Sequence, residues 1–263
     1  QLGRALAEAA LGRGATVRGF DLDTLDITDR VAVVGAVVDA RPRAVVNCAA
    51  FTAVDRCEQE EGLATAVNGT AVGHLAEACN RVGALLVQVS TDYVFPGNGS
   101  RPYREEDPVG PLSAYGRSKL EGERRIRAWL PERSFILRTA WLYGLRGQNF
   151  VSTMLRLFRE RDEVRVVADQ WGTPTLADDL AELGVVELAL SVEVGAEVER
   201  AEVAHRGVLL VGDLEDLGAQ VRQVHDTRRA VLVGLAGLVA LLVRGILERD
   251  PAVASLRQRA HHL

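Results

Sequence analysis

Apolar positions fall in short blocks along this chain, separated by longer stretches of helical periodicity. Residues 84–89 (ALLVQV) are a nearly unbroken apolar run that predicts a buried strand, closing on Ser90 and Thr91. Residues 43–48, apolar at Ala44, Val45 and Val46, read as a second strand, and residues 134–137 as a third. Two shorter strands are predicted at 15–20, closing on Asp21, and at 164–168. Between them the period changes. Leu2, Leu6, Ala9 and Ala10 suit a helix that Gly12 and Gly14 end. Thr28 or Asp29 caps a helix to Ala40. Further helices are predicted over 54–82, 112–130, 149–160 and 178–190, with His74 on a surface of the first. Strands alternating with helices predict an open α/β sheet, which binds ligands at the carboxyl ends of its strands.

One pair of residues lies where such a sheet does its chemistry. Tyr115 and Lys119 are four apart in the 112–130 helix, so both side chains leave one face. An ammonium beside a phenol favours the phenolate, and a phenol so tuned can hand a proton to a carbonyl oxygen. Thr91 puts a hydroxyl at the carboxyl end of the 84–89 strand. A Y-x-x-x-K spacing occurs by chance on many helix surfaces; the strand ending in Ser-Thr and the loop before the helix give it weight. That loop, 95–111, is punctuated by Pro96, Gly97, Gly99, Pro102, Pro108 and Pro111 and is placed to cover a crevice.

Composition narrows the class without deciding it. The 263 residues are 48% hydrophobic and 25% charged, an ordinary globular balance, and a net charge of −5 speaks against nucleic-acid binding. Cys48, Cys57 and Cys79 are odd in number and unmatched in spacing, as expected for reduced thiols in a cytoplasmic protein and not for a zinc site or disulfide framework.

Four runs in order carry a resemblance: STDYVF (90–95), Pro102-Tyr103, YGRSK (115–119) and DQWGTPT (169–175). Over residues 1–190 the chain resembles the extended short-chain dehydrogenase/reductase superfamily and, within it, the dTDP-4-dehydrorhamnose reductase family. The resemblance implies a Rossmann-like, doubly wound parallel sheet with NADPH or NADH as cofactor. It implies reduction of the 4-keto group of dTDP-4-dehydro-6-deoxy-L-mannose to dTDP-L-rhamnose. Tyr115 would be the general acid, Lys119 its pKa-lowering partner, and Thr91 the hydrogen-bond donor to the developing oxyanion. Asp92, Tyr93 and Trp141 would contact the nucleotide-sugar substrate. Trp141 reads equally as a packed aromatic.

Cofactor positions follow from the same resemblance. Gly3 matches the third glycine of a G-x-x-G-x-x-G turn whose second would fall immediately before Gln1. The expectation is therefore a fragment without the first strand and its phosphate-cradling turn, weak or inactive by itself. Asp21 would accept from an adenosine ribose and lean towards NADH, or simply be a turn residue. Asp26 and Ile27 fall near the adenine. Ala49 and Ala50 let a cofactor lie against the backbone, or pack tightly, and Asn68 falls on the nicotinamide side. Some family members hold magnesium at a subunit contact, but one of those acidic positions is Ala5 here, so no metal is expected. A homodimer is compatible with the family.

Residues 191–263 lie outside the resemblance and are expected to form a divergent, mainly helical region beside the 1–190 domain. Within it, 208–211 could be a strand and 252–263 is a basic tail. The apolar run 230–243 has 14 residues, fewer than the ~20 of a membrane span, and predicts a buried helix. Two other readings stay open: a different nucleotide-sugar reductase or epimerase, and a non-catalytic regulatory subunit on the same fold, similar to the methionine adenosyltransferase β subunit.

Overall fold

The computed structural model describes residues 1–185. In chain order the elements are α1 (Leu2–Gly12), α2 (Arg30–Ala40), β1 (Ala44–Asn47), α3 (Val54–Gln59), α4 (Glu61–Thr65), α5 (Ala71–Val82), β2 (Leu85–Thr91), α6 (Ala114–Trp129), β3 (Ser134–Thr139), β4 (Leu142–Tyr143), α7 (Phe150–Glu160), β5 (Thr175–Leu176) and α8 (Ala177–Asp179). A π-helical turn, Ala66–Thr70, joins α4 to α5, and another, Leu180–Val185, follows α8. The strand expected at 208–211, the helix at 230–243, the basic tail and the 191–263 region as a whole lie outside the described residues.

Two compact units divide these residues. The larger holds Leu2–Ala140 with residues 177–185; the smaller holds Trp141–Leu176 with Gln1. The larger unit is built on a three-stranded sheet in the order β1-β2-β3, parallel throughout. Parallel neighbours need long crossovers. α3 to α5 supply the one between β1 and β2, and α6 the one between β2 and β3. As the middle strand, β2 is buried over nearly its whole length, which is why its sequence is an apolar run rather than an alternation.

The core lies where α2, α5 and α6 cover this sheet. Val33, Val37, Val72, Leu75, Leu86, Ile126 and Leu130 form one buried cluster, with Ile27 packed at its margin. Full burial of a side chain such as Leu86 or Ile126 contributes about 1.5–3 kcal/mol. Asp29 caps α2, accepting from the backbone N–H groups of Val31 and Ala32. Arg30 and Arg81 converge on the buried carboxylate of Glu77, at 2.6 and 2.5 Å, and tie α2 to α5.

Several elements differ from expectation. Residues 15–20 join no ladder among the described residues, and 16–20 are exposed. The stretch 164–168 is likewise unpaired, since apolar content alone provides no hydrogen-bonding neighbour. The expected helix over 54–82 breaks at Glu60, whose backbone leaves the helical region, and again at the π turn around Asn68. His74 is half-buried, its Nδ1 3.4 Å from the Ile27 carbonyl oxygen. Among the described residues no helix is long and apolar enough to cross a membrane.

Candidate active site

β2 and α6 make the site between them. β2 delivers Thr91 at its carboxyl end, 5% exposed. α6 begins immediately after Ser113, whose side chain caps it by accepting from the Gly116 N–H. The helix can lie close because Gly116 and Gly122 have no side chain. A Cβ at Gly116 would sit 2.3 Å from the Tyr93 carbonyl oxygen, and one at Gly122 2.4 Å from the Asn68 carbonyl oxygen. Ala114 N–H donates to Glu58, and Arg117 pairs with Glu61, so α3 and α4 hold the first turn of α6.

This placement brings the predicted chemistry together. The Thr91 hydroxyl lies beside the Tyr115 phenol, close enough to favour its ionised form. Thr91 also accepts from the Tyr93 N–H at 3.2 Å and donates to Asp92 at 3.1 Å. Tyr93 stands edge-on to Tyr115, ring centroids 5.6 Å apart. Lys119 is buried one turn further along and donates to the Val89 carbonyl oxygen at 2.7 Å.

The electrostatics differ from the sequence expectation in one respect. Burial pushes the Tyr115 phenol up to about 12, only partly offset by the Thr91 hydroxyl. Burial also lowers the Lys119 ammonium to about 8, opposed by the Glu123 carboxylate. The ammonium therefore does not outweigh desolvation of the phenol, and Tyr115 keeps its proton well beyond neutrality. Burial raises the Asp92 carboxyl too, against its hydrogen bond from Thr91.

The remaining predicted residues fall into three groups. Gly3, in the first turn of α1, lies by the carboxyl end of β1, where an added Cβ would touch Cys48 at 3.9 Å. Ala49 and Ala50 follow Asn47 there, and the Asn47 side chain holds the turn by accepting from the Ala49 N–H. Asn68 is buried and hydrogen-bonded at both ends of its amide. It accepts from the Phe51 N–H and donates to the Phe51 carbonyl oxygen and to Ser118 Oγ, which in turn donates to the Tyr115 carbonyl oxygen. Asp21 is an exposed turn residue whose carboxylate accepts from the Leu22 N–H, and Asp26 accepts from both N–H and hydroxyl of Thr28. Trp141 belongs to the smaller unit. There it adopts a left-handed backbone (φ 46°), with its indole against Gly172, where a Cβ would come within 2.6 Å.

Sequence reasoning passed over Glu123, Arg138 and Gln88, and named Ser90 at the strand end without giving it a role; all are next to the site. The available signal was spacing: Glu123 continues the Tyr115–Lys119 series by four more residues.

With this geometry in place, similarity to known proteins decides the family. Residues 1–225 match the RmlD substrate binding domain family. The dTDP-4-dehydrorhamnose reductase of Aggregatibacter actinomycetemcomitans is 44% identical over 200 residues, 76% of this chain and 67% of that one. The chain belongs to the dTDP-4-dehydrorhamnose reductase family. Its Streptomyces griseus relative is 54% identical over 198 residues, 74% of this chain, of whose length the chain covers 65%. Among solved structures, the dTDP-4-dehydrorhamnose reductase of Clostridium acetobutylicum superposes with a TM-score of 0.70 at 46% identity, covering 73% of this chain and 68% of that one. The Bacillus anthracis reductase, solved in complex with NADP, also gives 0.70, at 41% identity, covering 74% of this chain and 69% of that one. The larger unit therefore has the Rossmann-like fold of these reductases.

Proposed function

We propose that this chain carries the catalytic machinery of a nicotinamide-dependent reductase acting on the 4-keto group of a dTDP-linked deoxysugar, dTDP-4-dehydro-6-deoxy-L-mannose. The observation that carries the reading is the placing of the Thr91 hydroxyl beside the Tyr115 phenol at the carboxyl end of β2, with Lys119 one turn along the same helix face. A ketone oxygen presented there meets two hydroxyl groups. Thr91 donates a hydrogen bond to it as negative charge develops, and Tyr115 supplies the proton from its phenol oxygen. A phenol pushed up to about 12 is fully protonated at neutral pH and so is ready to act as the acid. Lys119 keeps a positive charge within the helix turn that carries Tyr115, favouring the phenolate left behind. Asp92 and Tyr93 are the substrate contacts of this reading within the larger unit, Asp92 held by Thr91 and Tyr93 by its ring contact with Tyr115.

The surface at the end of β1 suits a dinucleotide. Ala49 is exposed, Ala50 is half-buried, and the first turn of α1 starts beside them at Gly3, with N–H groups that an anion can approach. A reduced nicotinamide, NADPH or NADH, supplies the hydride when bound; Gly3, Asp21, Asp26, Ile27, Ala49, Ala50, Asn68, Tyr115 and Lys119 are the residues assigned to hold it. The Bacillus anthracis relative, solved in complex with NADP, supports a nicotinamide dinucleotide as the cofactor.

Consumption of NADPH in the presence of the keto sugar nucleotide tests the reading. Tyr115→Phe is expected to lower kcat by about 10²–10⁴-fold, the usual contribution of a positioned acid. Equal rates for the two proteins would overturn it. A second reading has one specific support: a Streptomyces niveus dTDP-4-keto-6-deoxy-D-glucose reductase is 45% identical over 181 residues. Offering both keto sugar nucleotides to the chain separates the two by the ratio of kcat/KM.

A further inference from the structure

The Tyr115–Lys119 pair is the first part of a longer series. Three consecutive residues at the end of β2 meet α6 at positions four apart. Thr91 lies beside Tyr115, the Val89 carbonyl oxygen accepts from Lys119, and Ser90 Oγ donates to Glu123 Oε1 at 2.6 Å. Glu123 is 0% exposed. Its carboxylate also receives Arg138 in a two-pronged contact, Nε to Oε1 at 3.0 Å and Nη2 to Oε2 at 2.7 Å, and Arg127 at 3.3 Å. Ser90 and Arg138 are register partners on β2 and β3, so one carboxylate bridges adjacent strands and the helix above them. Arg138 reaches outward as well. It donates to the Glu105 carbonyl oxygen and lies 4.8 Å from the centre of the Phe95 ring, which stacks on Tyr103 in the 95–111 loop.

A buried charge is a costly way to fill space. Desolvating a carboxylate costs several kcal/mol even after relaxation, and apolar side chains of equal volume often pack as stably as a buried ion pair. What Glu123 provides that an apolar residue would not is direction: its Oε1 takes Ser90 and Arg138 together, and its Oε2 takes the second prong of Arg138.

We propose that Glu123 is a positioning residue for the proposed reduction, holding Ser90 and Arg138 against α6 so that Thr91 stays opposite Tyr115 and Lys119 stays on Val89. The inference rests on the functional reading above for its kinetic consequence, but its geometric consequence stands alone. Two substitutions and two measurements test it in the 263-residue chain. Glu123→Gln removes the charge, while Ser90→Ala removes a single hydrogen bond and leaves the Glu123–Arg138 pair in place to keep the fold. Steady-state kinetics with NADPH and the keto sugar nucleotide are expected to show kcat falling with KM little changed, by about 10²-fold for Glu123→Gln, as for a misplacement near 1 Å. Ser90→Ala moves in the same direction by less. Acylation of Lys119, followed by peptide mass mapping, reports the clamp without reference to activity. Buried Lys119 is labelled slowly in the wild type, and both variants are expected to label it several-fold faster at a temperature where they remain folded. A kcat and a Lys119 labelling rate at wild-type level in Ser90→Ala and in folded Glu123→Gln would overturn the proposal. Where the wild-type chain shows no turnover, as a fragment without its phosphate-cradling turn would, labelling alone decides on Glu123, unchanged rates counting against it and faster rates for it.

Discussion

Lys119 and Tyr115 meet the same burial with opposite consequences, and the pH dependence of stability should show both. Lys119 is lowered from 10.5 to about 8. Between those values the unfolded chain still binds the proton and the folded chain does not, so Lys119 makes stability rise with pH across that window. Tyr115 is raised from 10.0 to about 12, and there the folded chain alone keeps the proton, so its contribution falls as pH rises from 10 to 12. Burial raises Cys48 to about 11 and Cys79 to about 12 from 9.0, and they pull stability down in the same direction from pH 9 upward. The lysine is therefore best isolated by difference. Urea midpoints of wild type and Lys119→Met should diverge between pH 8 and 9, wild type gaining relative to the variant; parallel curves would contradict the lowered ammonium. The same titration should lower kcat as pH climbs through 8, because a neutral amine no longer favours the phenolate. At this scale the sequence was informative about which residues come together and less so about their electrostatics. Spacing put Tyr115 and Lys119 on one face, but four-residue spacing carries no measure of desolvation, and desolvation decides the phenol here.

α6 owes its place to the two glycines as much as to its apolar face. Replacing a helical glycine with alanine ordinarily favours the helix by about 1 kcal/mol. At Gly116 and Gly122 the new Cβ would fall within 2.3 and 2.4 Å of carbonyl oxygens of Tyr93 and Asn68, backbone atoms that cannot swing aside. Both substitutions are expected to destabilise by about 1–3 kcal/mol, as overpacking does. Gly35 in α2 has no atom within 4 Å of an added Cβ, so Gly35→Ala should stabilise by about 0.4–1 kcal/mol. Urea unfolding of the three variants tests the contrast, and a loss at Gly35 matching that at Gly122 would refute it. The apolar blocks at 43–48, 84–89 and 134–137 were legible as strands because each is a short, nearly continuous apolar run; only the middle one, β2, is buried along nearly its whole length, while β1 and β3 are half-buried. The cap of α2 was legible to within one residue, Thr28 or Asp29, because capping is local chemistry, whereas the Ser113 cap of α6 emerged only from the structure. The π turn at Asn68 was not. An apolar stripe reports which face of a helix is buried, not where its hydrogen-bond ladder slips by one residue to let Gly122 approach the Asn68 carbonyl oxygen.

At the scale of the whole described molecule, protection should follow strand neighbours rather than strand-like sequence. Residues 15–20 carry Val17 and Phe20, 38% and 43% exposed, and would pass for an inner strand by composition. Their side chains instead lie open, with the Arg18 guanidinium 5.0 Å from the centre of the Phe20 ring. β2, by contrast, is paired on both sides, to β1 through Asn47–Gln88 and to β3 through Thr91–Thr139. The buried amide of Asn47 adds a side-chain bond to Gln88 at 2.8 Å, and Gln88 donates to the Val89 carbonyl oxygen that also receives Lys119. Opening β2 therefore means opening both ladders, this polar chain and the core beneath Leu86 together, whereas residues 15–20 have no ladder to open. Amide hydrogen exchange of the 263-residue chain should place Leu86, Val87 and Gln88 in its slowest class and residues 16–20 in its fastest. Slow exchange at 16–20, matched to β2, would mean that this stretch is paired in solution and that the sheet is wider than β1-β2-β3.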